Sequence, residues 1–177
     1  MNELKLKYGE NIADILKKKL GFKNSLAAPR LIKIVINTGT GRKEEKDKEI
    51  IIRHFELISG QKCAPRGAKK SIAAFKTRQG VVVGFACTLR GARMYDFLDK
   101  LINVALPRIR DFRGIDLKSI DSSGNLTIGF KEHIVFPEIA GEDVKAPFGL
   151  EVTLVTNAKT RDEAEALFKA IGVPFKK

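Results

Sequence analysis

Four stretches of this chain alternate bulky apolar residues with small, polar or cationic ones, and this alternation constrains the fold more than any other feature. The stretches read LIKIVINT, VVVGFACTLR, LTIGFK and LEVTLVT. Successive side chains of a strand point to opposite faces, so each stretch predicts a strand with one apolar row and one open row. The apolar rows, which we expect to face helices, are Ile32, Ile34 and Ile36; Val81, Val83, Phe85, Cys87 and Leu89; Leu126, Ile128 and Phe130; and Leu150, Val152 and Leu154. A sheet of this kind is typically antiparallel and covered on one side.

Helical periodicity accounts for much of the remaining chain. Apolar spacing predicts four helices, over 3–20, 43–59 and 92–106 and from Thr160 onward. Glu163 stands three residues after Thr160, which is the spacing of a capping box. Strands and helices are mixed without regular alternation, so the predicted class is α+β. We expect a mostly antiparallel sheet with helices packed on one face, an open face and a long basic hairpin loop, with residues 1–177 forming a single domain.

The open rows carry two kinds of residue that suit RNA. Some are small, which lets a polymer backbone approach closely: Gly84, Ala86, Thr88 and Gly129. Others offer donors to phosphate and ribose oxygens: Lys33, Asn37 and Arg90. Aromatic residues are missing from these rows, so we expect recognition of structured RNA by its shape and backbone, not stacking of single-stranded bases. An ordinary solvated face is the alternative interpretation.

The net charge of +12 is concentrated in one segment. Residues 57–95 contain no Asp or Glu and eight Lys or Arg residues, so this segment alone contributes +8. Within it, AKKSIAAFKTRQG (68–80), which we name the basic finger, lies between strands predicted at 61–66 and 81–90. A solvated lysine-rich surface normally intersperses charges of both signs. The distribution therefore favours a polyanionic partner.

Chemistry beyond binding has little support in the sequence. Gly39 and Gly41 resemble part of a phosphate-binding turn, but the third glycine of a dinucleotide fingerprint and the Lys–Ser/Thr ending of a P-loop are missing. The two histidines have no partner at metal-ligand spacing, and the two cysteines suit core or strand positions in a reducing cytosol. No apolar run is long enough to span a membrane. We therefore expect a cytoplasmic, non-enzymatic protein without a cofactor.

Five separated segments are similar, in order, to one known family. They read KIVINTGTG, RGAKKSIAAFKTRQG, CTLRGARMYDFLDKLINVALPRIRDFRG, GNLTIGFKEHIVFPEI and LVTNAKTRDEAEALFKAIGVPF. Over residues 4–176 the chain resembles the bacterial form of ribosomal large-subunit protein five, a 5S rRNA-binding ribosomal protein family. The resemblance implies a structural constituent of the large ribosomal subunit that binds 5S rRNA in the central protuberance, near the other 5S rRNA-binding ribosomal proteins. The one departure is the first glycine turn, where more apolar residues are expected between the glycines.

The resemblance also implies roles for individual residues. The rRNA-binding residues would be Lys33, Asn37, Gln61, Thr88 and Arg90, of which only Gln61 lies outside the open rows. The basic finger would contact the P-site tRNA through Lys69, Lys70, Ser71, Phe75, Lys76 and Arg78. A bridge to small-subunit protein thirteen would use Arg108, Arg110, Asp111 and Arg113, together with the loop around Pro137–Val144.

Two interpretations from other classes stay open. A general RNA chaperone or regulator would use the same open sheet but show weak preference among RNAs. A nucleotide-dependent enzyme built on the glycine turn would show saturable mononucleotide binding, although no catalytic constellation accompanies the turn.

Overall fold

The protein has the predicted α+β class. The computed structural model describes residues 11–22, 24–41, 43–75, 77–139, 141–142 and 147–176. Within these residues the helices are α1 (Asn11–Leu20), α2 (Glu45–Ser59), α3 (Gly91–Lys100) and α4 (Arg161–Ile171). The strands are β1 (Leu31–Gly39), β2 (Ala64–Gly67), β3 (Val82–Leu89), β4 (Leu126–Phe130) and β5 (Leu150–Thr156). The start of the first predicted helix, 3–10, lies outside the described residues.

The five strands form one sheet in the order β2-β3-β1-β5-β4. The β2–β3 pair is antiparallel, with Ala64 opposite Ala86 and an irregularity between Arg66 and Gly67. All four residues of β2 are exposed, and Pro65 is one of them. Proline donates no backbone hydrogen bond and is therefore confined to sheet edges, which matches the position of β2.

The alternation predicted the buried rows correctly in most positions. Ile34 and Ile36 of β1 are fully buried, and the apolar rows of β4 and β5 are buried as well. The start of β1 departs from the prediction, because Leu31 is buried whereas Ile32 is 40% exposed. In β3 the prediction fails at Val81, which lies just before the strand and is 48% exposed, and at Val83, which is only half-buried.

Two compact units divide the chain. The first contains Met1–Val35, Leu89–Ile128 and Val152–Lys177. In it α1 packs against α4, and the two helices bury apolar residues that include Ile12, Leu16, Leu167, Phe168 and Ile171. The second contains Ile36–Thr88 and Gly129–Glu151, and its core includes Ile51, Phe55, Ile58, Phe130, Phe136 and Phe148. The single-domain organisation stays a prediction.

Helix ends follow local chemistry. Thr160 caps α4 by accepting a hydrogen bond from the backbone N–H of Glu163 (3.3 Å), as the capping box predicted. The Glu163 carboxylate accepts in return from Lys159 N–H (2.8 Å), one residue earlier than the ideal box. The third predicted helix, 92–106, is α-helical only to Lys100, after which Leu101–Ala105 form a π turn.

Candidate nucleic-acid interface

The predicted contact residues of β1 lie in one row. Lys33, Val35 and Asn37 are half-buried and alternate with Ile34, Ile36 and Thr38, which are buried. The row therefore presents an ammonium and an amide on the face opposite the buried residues. Both are hydrogen-bond donors that suit phosphate oxygens.

Gln61 and Thr88 come together at the end of β3. β2 pairs with β3 only from Ala64 opposite Ala86, so Thr88 lies beyond the ladder. The side-chain Nε2 of Gln61 donates to the Thr88 carbonyl at 3.1 Å and satisfies it in place of a strand neighbour. Ser59 Oγ donates to the Gln61 carbonyl at 2.9 Å and holds that residue in turn. The link follows from the short β2, which sequence reasoning placed at 61–66.

The small residues of the open rows divide into two groups. Gly84 and Ala86 are buried, which contradicts their predicted role as an open surface for an RNA backbone. An ideal Cβ at Gly84 would lie 2.5 Å from the Thr38 carbonyl oxygen, so glycine is required there by strand packing. Gly129 is exposed, and an ideal Cβ at that position would meet no atom within 4 Å. Gly129 therefore keeps the accessibility that was predicted for both glycines.

The first unit presents hydroxyl and cationic groups of its own. Thr127 of β4 and Thr153 of β5 share a hydrogen bond between their hydroxyl oxygens at 3.2 Å. Arg90 is exposed immediately after β3, where it precedes the first residue of α3 without a capping bond from its side chain. Its guanidinium is available for a planar, bidentate contact with a phosphate.

The basic finger is a hydrogen-bonded hairpin extension. Near its base, Ala68 N–H donates to Val81 O (2.9 Å) and Gly80 N–H donates to Ala68 O (3.0 Å). Near its tip, Ile72 and Thr77 exchange backbone hydrogen bonds of 2.9 and 3.2 Å. These bonds give the long hairpin loop that the sequence predicts a defined path.

The finger side chains are held out from this backbone. Lys69, Lys70, Ser71, Phe75 and Arg78 are exposed, and Phe75 retains 59% of its surface. Ser71 Oγ accepts from Gln79 N–H at 3.0 Å, which ties one side of the finger to the other. Lys76, predicted as a tRNA contact, lies outside the described residues. The described finger therefore combines cations with an exposed aromatic ring.

The predicted bridge residues lie in one exposed loop after the π turn. Arg108, Arg110, Asp111 and Arg113 are all exposed, and Asp111 has a positive φ of 56°. The loop is anchored where Ile115 N–H donates to Pro174 O (2.8 Å) and Lys176 N–H donates to Ile115 O (2.9 Å). Gly114, with φ 100°, packs so closely on this segment that a Cβ would lie 2.7 Å from Lys176 N.

Three titratable side chains of the second unit, His54, His133 and Cys63, are buried in its core. Phe148 N–H donates to His133 Nδ1 (3.4 Å), which leaves the proton of His133 on Nε2, 3.1 Å from His54 Nδ1. Burial lowers the pKa of His133 to about 4 and also lowers the pKa of His54. Sequence reasoning found no partner for either histidine, because 79 positions separate them. Burial, assisted by Glu56, raises the pKa of the Cys63 thiol to about 11, which opposes a nucleophilic role.

Among the described residues, no three or more His, Cys, Asp and Glu side chains are placed to hold a metal ion. The described helices are likewise too short or too polar to cross a bilayer.

Comparison with known proteins gives one consistent result. The profile of the ribosomal protein L5 family matches residues 24–78, and the profile of the C-terminus of the same ribosomal family matches residues 82–175. A relative from Desulfatibacillum aliphaticivorans is 47% identical over the full length of both chains. Relatives from Mycoplasma capricolum and Prochlorococcus marinus are 49% and 48% identical, covering 99% and 98% of both chains. All three carry the name large ribosomal subunit protein uL5.

Proposed function

The chain belongs to the ribosomal protein L5 family and is a non-enzymatic, structural component of the large ribosomal subunit, within which we propose that it binds 5S rRNA. We place this contact on Lys33, Asn37, Thr88 and Arg90 of the open rows and on Gln61, which donates to the Thr88 carbonyl. In the central protuberance the protein would then adjoin the other 5S rRNA-binding ribosomal proteins.

The observation that carries this proposal is the donor row of β1. Lys33 and Asn37 share a face, and Val35, which lies between them in the row, carries no charge. A polyanion with a regular backbone needs such donors, and phosphate contacts fix its register without reading its sequence. Gln61 contributes by holding the Thr88 carbonyl, so that its effect on RNA includes the placement of Thr88.

The test is binding of the purified protein to 5S rRNA, with tRNA as competitor and salt varied. Asn37→Ala and Thr88→Ala should each weaken 5S rRNA binding roughly tenfold, as expected for one hydrogen bond to a charged group. Asn103→Ala is the matched control, because Asn103 is exposed on the π turn and donates to Asp99 (2.9 Å). If four or five phosphates are engaged, a fourfold rise in salt should weaken binding by roughly a hundredfold to several hundredfold.

Two outcomes would contradict the proposal. Normal affinity in both variants would remove the open rows from the interface. Equal wild-type affinity for 5S rRNA and tRNA would favour the general RNA chaperone or regulator.

We further propose that the basic finger contacts the P-site tRNA. Its exposed cations suit phosphates of any sequence, and its hydrogen-bonded backbone holds them in position for a contact that must later be released. Combined substitution of Lys69, Lys70, Lys76 and Arg78 by Ala should impair translation and leave 5S rRNA affinity largely intact. A control removes equal charge elsewhere, at Lys46, Lys118, Lys159 and Lys169. Loss of 5S rRNA binding in the finger variant alone would reassign the finger to rRNA.

We propose that the exposed loop with Arg108, Arg110, Asp111 and Arg113 forms the bridge to small-subunit protein thirteen. Its three arginines are exposed on a segment that is anchored through Ile115, so they are presented on a fixed base. Combined substitution of Arg108, Arg110 and Arg113 by Ala should lower the association of the two ribosomal subunits, measured by light scattering. The control substitutes Lys118, Lys159 and Lys169, and equal association in the two variants would contradict the bridge.

A further inference from the structure

A second cationic surface lies at the end of α1, outside the residues of the open rows and of the basic finger. Asp14, Lys17 and Lys18 project from the exposed side of this helix, opposite the buried Ile12 and Leu16. The helix closes where Gly21 N–H donates to Lys17 O at 3.0 Å. Gly21 has a φ of 72°, a left-handed conformation that turns the chain back at this point.

This turn produces a cleft. Asp14, Lys17, Lys18, Gly21 and Phe22 line a space of about 470 Å³, which is large enough for a nucleobase with its ribose. Gly21 places no side chain in the cleft, and an ideal Cβ there would meet no atom within 4 Å. Phe22 is half-buried and supplies an aromatic wall, which the open rows of the sheet lack.

The groups that line the cleft differ in chemistry from a plain phosphate site. Lys17 and Lys18 attract phosphates, but Asp14 and the last carbonyls of α1 are negative and would repel a phosphate placed among them. The same acceptors suit the N–H groups on the edge of a base, and guanine offers the most on its Watson–Crick edge. An aromatic ring beside them provides a stacking surface.

We propose that this cleft holds one unpaired nucleotide of ribosomal RNA other than 5S rRNA, with its phosphates on Lys17 and Lys18, its base against Phe22 and its base N–H groups on Asp14. The inference rests on the proposed function in that the partner is RNA. It differs from the proposed function in the part of the RNA that is bound. The cleft would bind a base turned out of a helix, whereas the open rows and the basic finger would contact the RNA backbone. Three lysines in the last turn of α1 would also stabilise the helix dipole, but that role needs neither Phe22 nor the cleft.

The test uses the full-length protein and two short RNA hairpins that differ only by one unpaired guanosine in the stem. The wild type should bind the bulged hairpin about tenfold more tightly, as expected for one stacked base. Phe22→Ala should abolish this preference and Phe22→Tyr should keep it. Lys18→Ala should weaken both hairpins and lower the salt slope by about one, whereas Lys169→Ala, a control of equal charge, should leave both affinities and the salt slope nearly unchanged.

Each arm has an outcome that overturns the cleft. The cleft is contradicted if the wild type binds the two hairpins with equal affinity. It is also contradicted if polyglutamate displaces both hairpins equally, because that result would indicate charge attraction alone. The 5S rRNA affinity of Phe22→Ala is measured in parallel and should stay unchanged; if it falls with the bulge preference, the cleft is not a separate site. The proposed function is tested independently by the binding of the wild type to 5S rRNA in competition with tRNA, where equal affinity for the two RNAs would contradict it.

Discussion

Gly84 and Gly129 give a matched pair of substitutions that tests the packing of the sheet. Both lie in rows that the alternation placed on the open face, and neither adopts the left-handed backbone region. Alanine is therefore acceptable to both backbones, and the surroundings decide the outcome. At Gly84 the Cβ would lie 2.5 Å from the Thr38 carbonyl oxygen, whereas at Gly129 it would meet nothing within 4 Å.

The two alanines should have opposite effects on the free energy of unfolding. For Gly84→Ala, the Thr38 carbonyl and the new Cβ must separate by about 0.9 Å to reach ordinary contact at 3.4 Å. Backbone resists such a movement, and the adjoining bonds from Thr40 and Gly41 N–H to Val83 O (3.0 and 3.4 Å) would be weakened. Overpacking of this kind costs about 2 kcal/mol. Gly129→Ala should stabilise by about 0.5 kcal/mol, because alanine restricts the unfolded chain.

Urea unfolding measures both changes. With an m-value of roughly 2 kcal/mol/M, the Gly84→Ala midpoint should fall by about 1 M and the Gly129→Ala midpoint should stay or rise slightly. Equal midpoints for the wild type and Gly84→Ala would refute the packing argument, as would equal losses in the two variants. Binding to 5S rRNA adds a second measurement, since Gly129→Ala should weaken it only if RNA backbone lies against β4.

Three further predictions concern stability and reactivity. The folded pKa of His133 is about 4, below its unfolded value of 6.5, so the unfolded chain binds more protons between these two pH values. The free energy of unfolding should therefore be highest above pH 6.5 and fall by up to roughly 3 kcal/mol as the pH drops toward 4. In urea titrations His133→Leu should show a shallower fall between pH 6.5 and about 5. Thr160→Ala should cost about 1 kcal/mol by removing the cap of α4, whereas Thr160→Ser should retain most of it; equal thermal midpoints for the two variants would contradict the cap. Cys63, with a pKa of about 11, should resist iodoacetamide at pH 7.5 until urea unfolds the chain, and rapid labelling of the native protein at Cys63 would contradict its burial.

Local patterns predicted the elements that bury one face. In β4 and β5 every second residue is buried without exception, since the predicted apolar rows of both strands enter the core. The strand predicted at 61–66 begins three residues before the observed β2. The four residues of β2 are all exposed and have no alternating pattern of their own, so they form a strand only by pairing with β3. The end of α3 was also not predictable from its local pattern. The apolar spacing continues through Leu101, although the hydrogen bonds change there to those of a π turn.

The candidate interface was predictable to the extent that it depends on one strand. Lys33 and Asn37 share a row because alternation along β1 requires it. The burial of Gly84 depends on where Thr38 of another strand lies, and the bond from Gln61 to Thr88 spans 27 positions. Such contacts follow from register between strands, which alternation within a single strand does not specify.

The irregular edge strand β2 also bears on how the protein survives before assembly. A ribosomal protein made ahead of its RNA is a free chain with an open sheet, and a regular exposed edge would recruit strands from other copies. Pro65 removes one donor from that edge, Arg66 adds a charge, and the irregularity before Gly67 bends it. These are three of the devices by which natural sheets block edge-to-edge polymerisation. The strand that leads into the basic finger therefore presents an edge that disfavours pairing with a second copy of the chain.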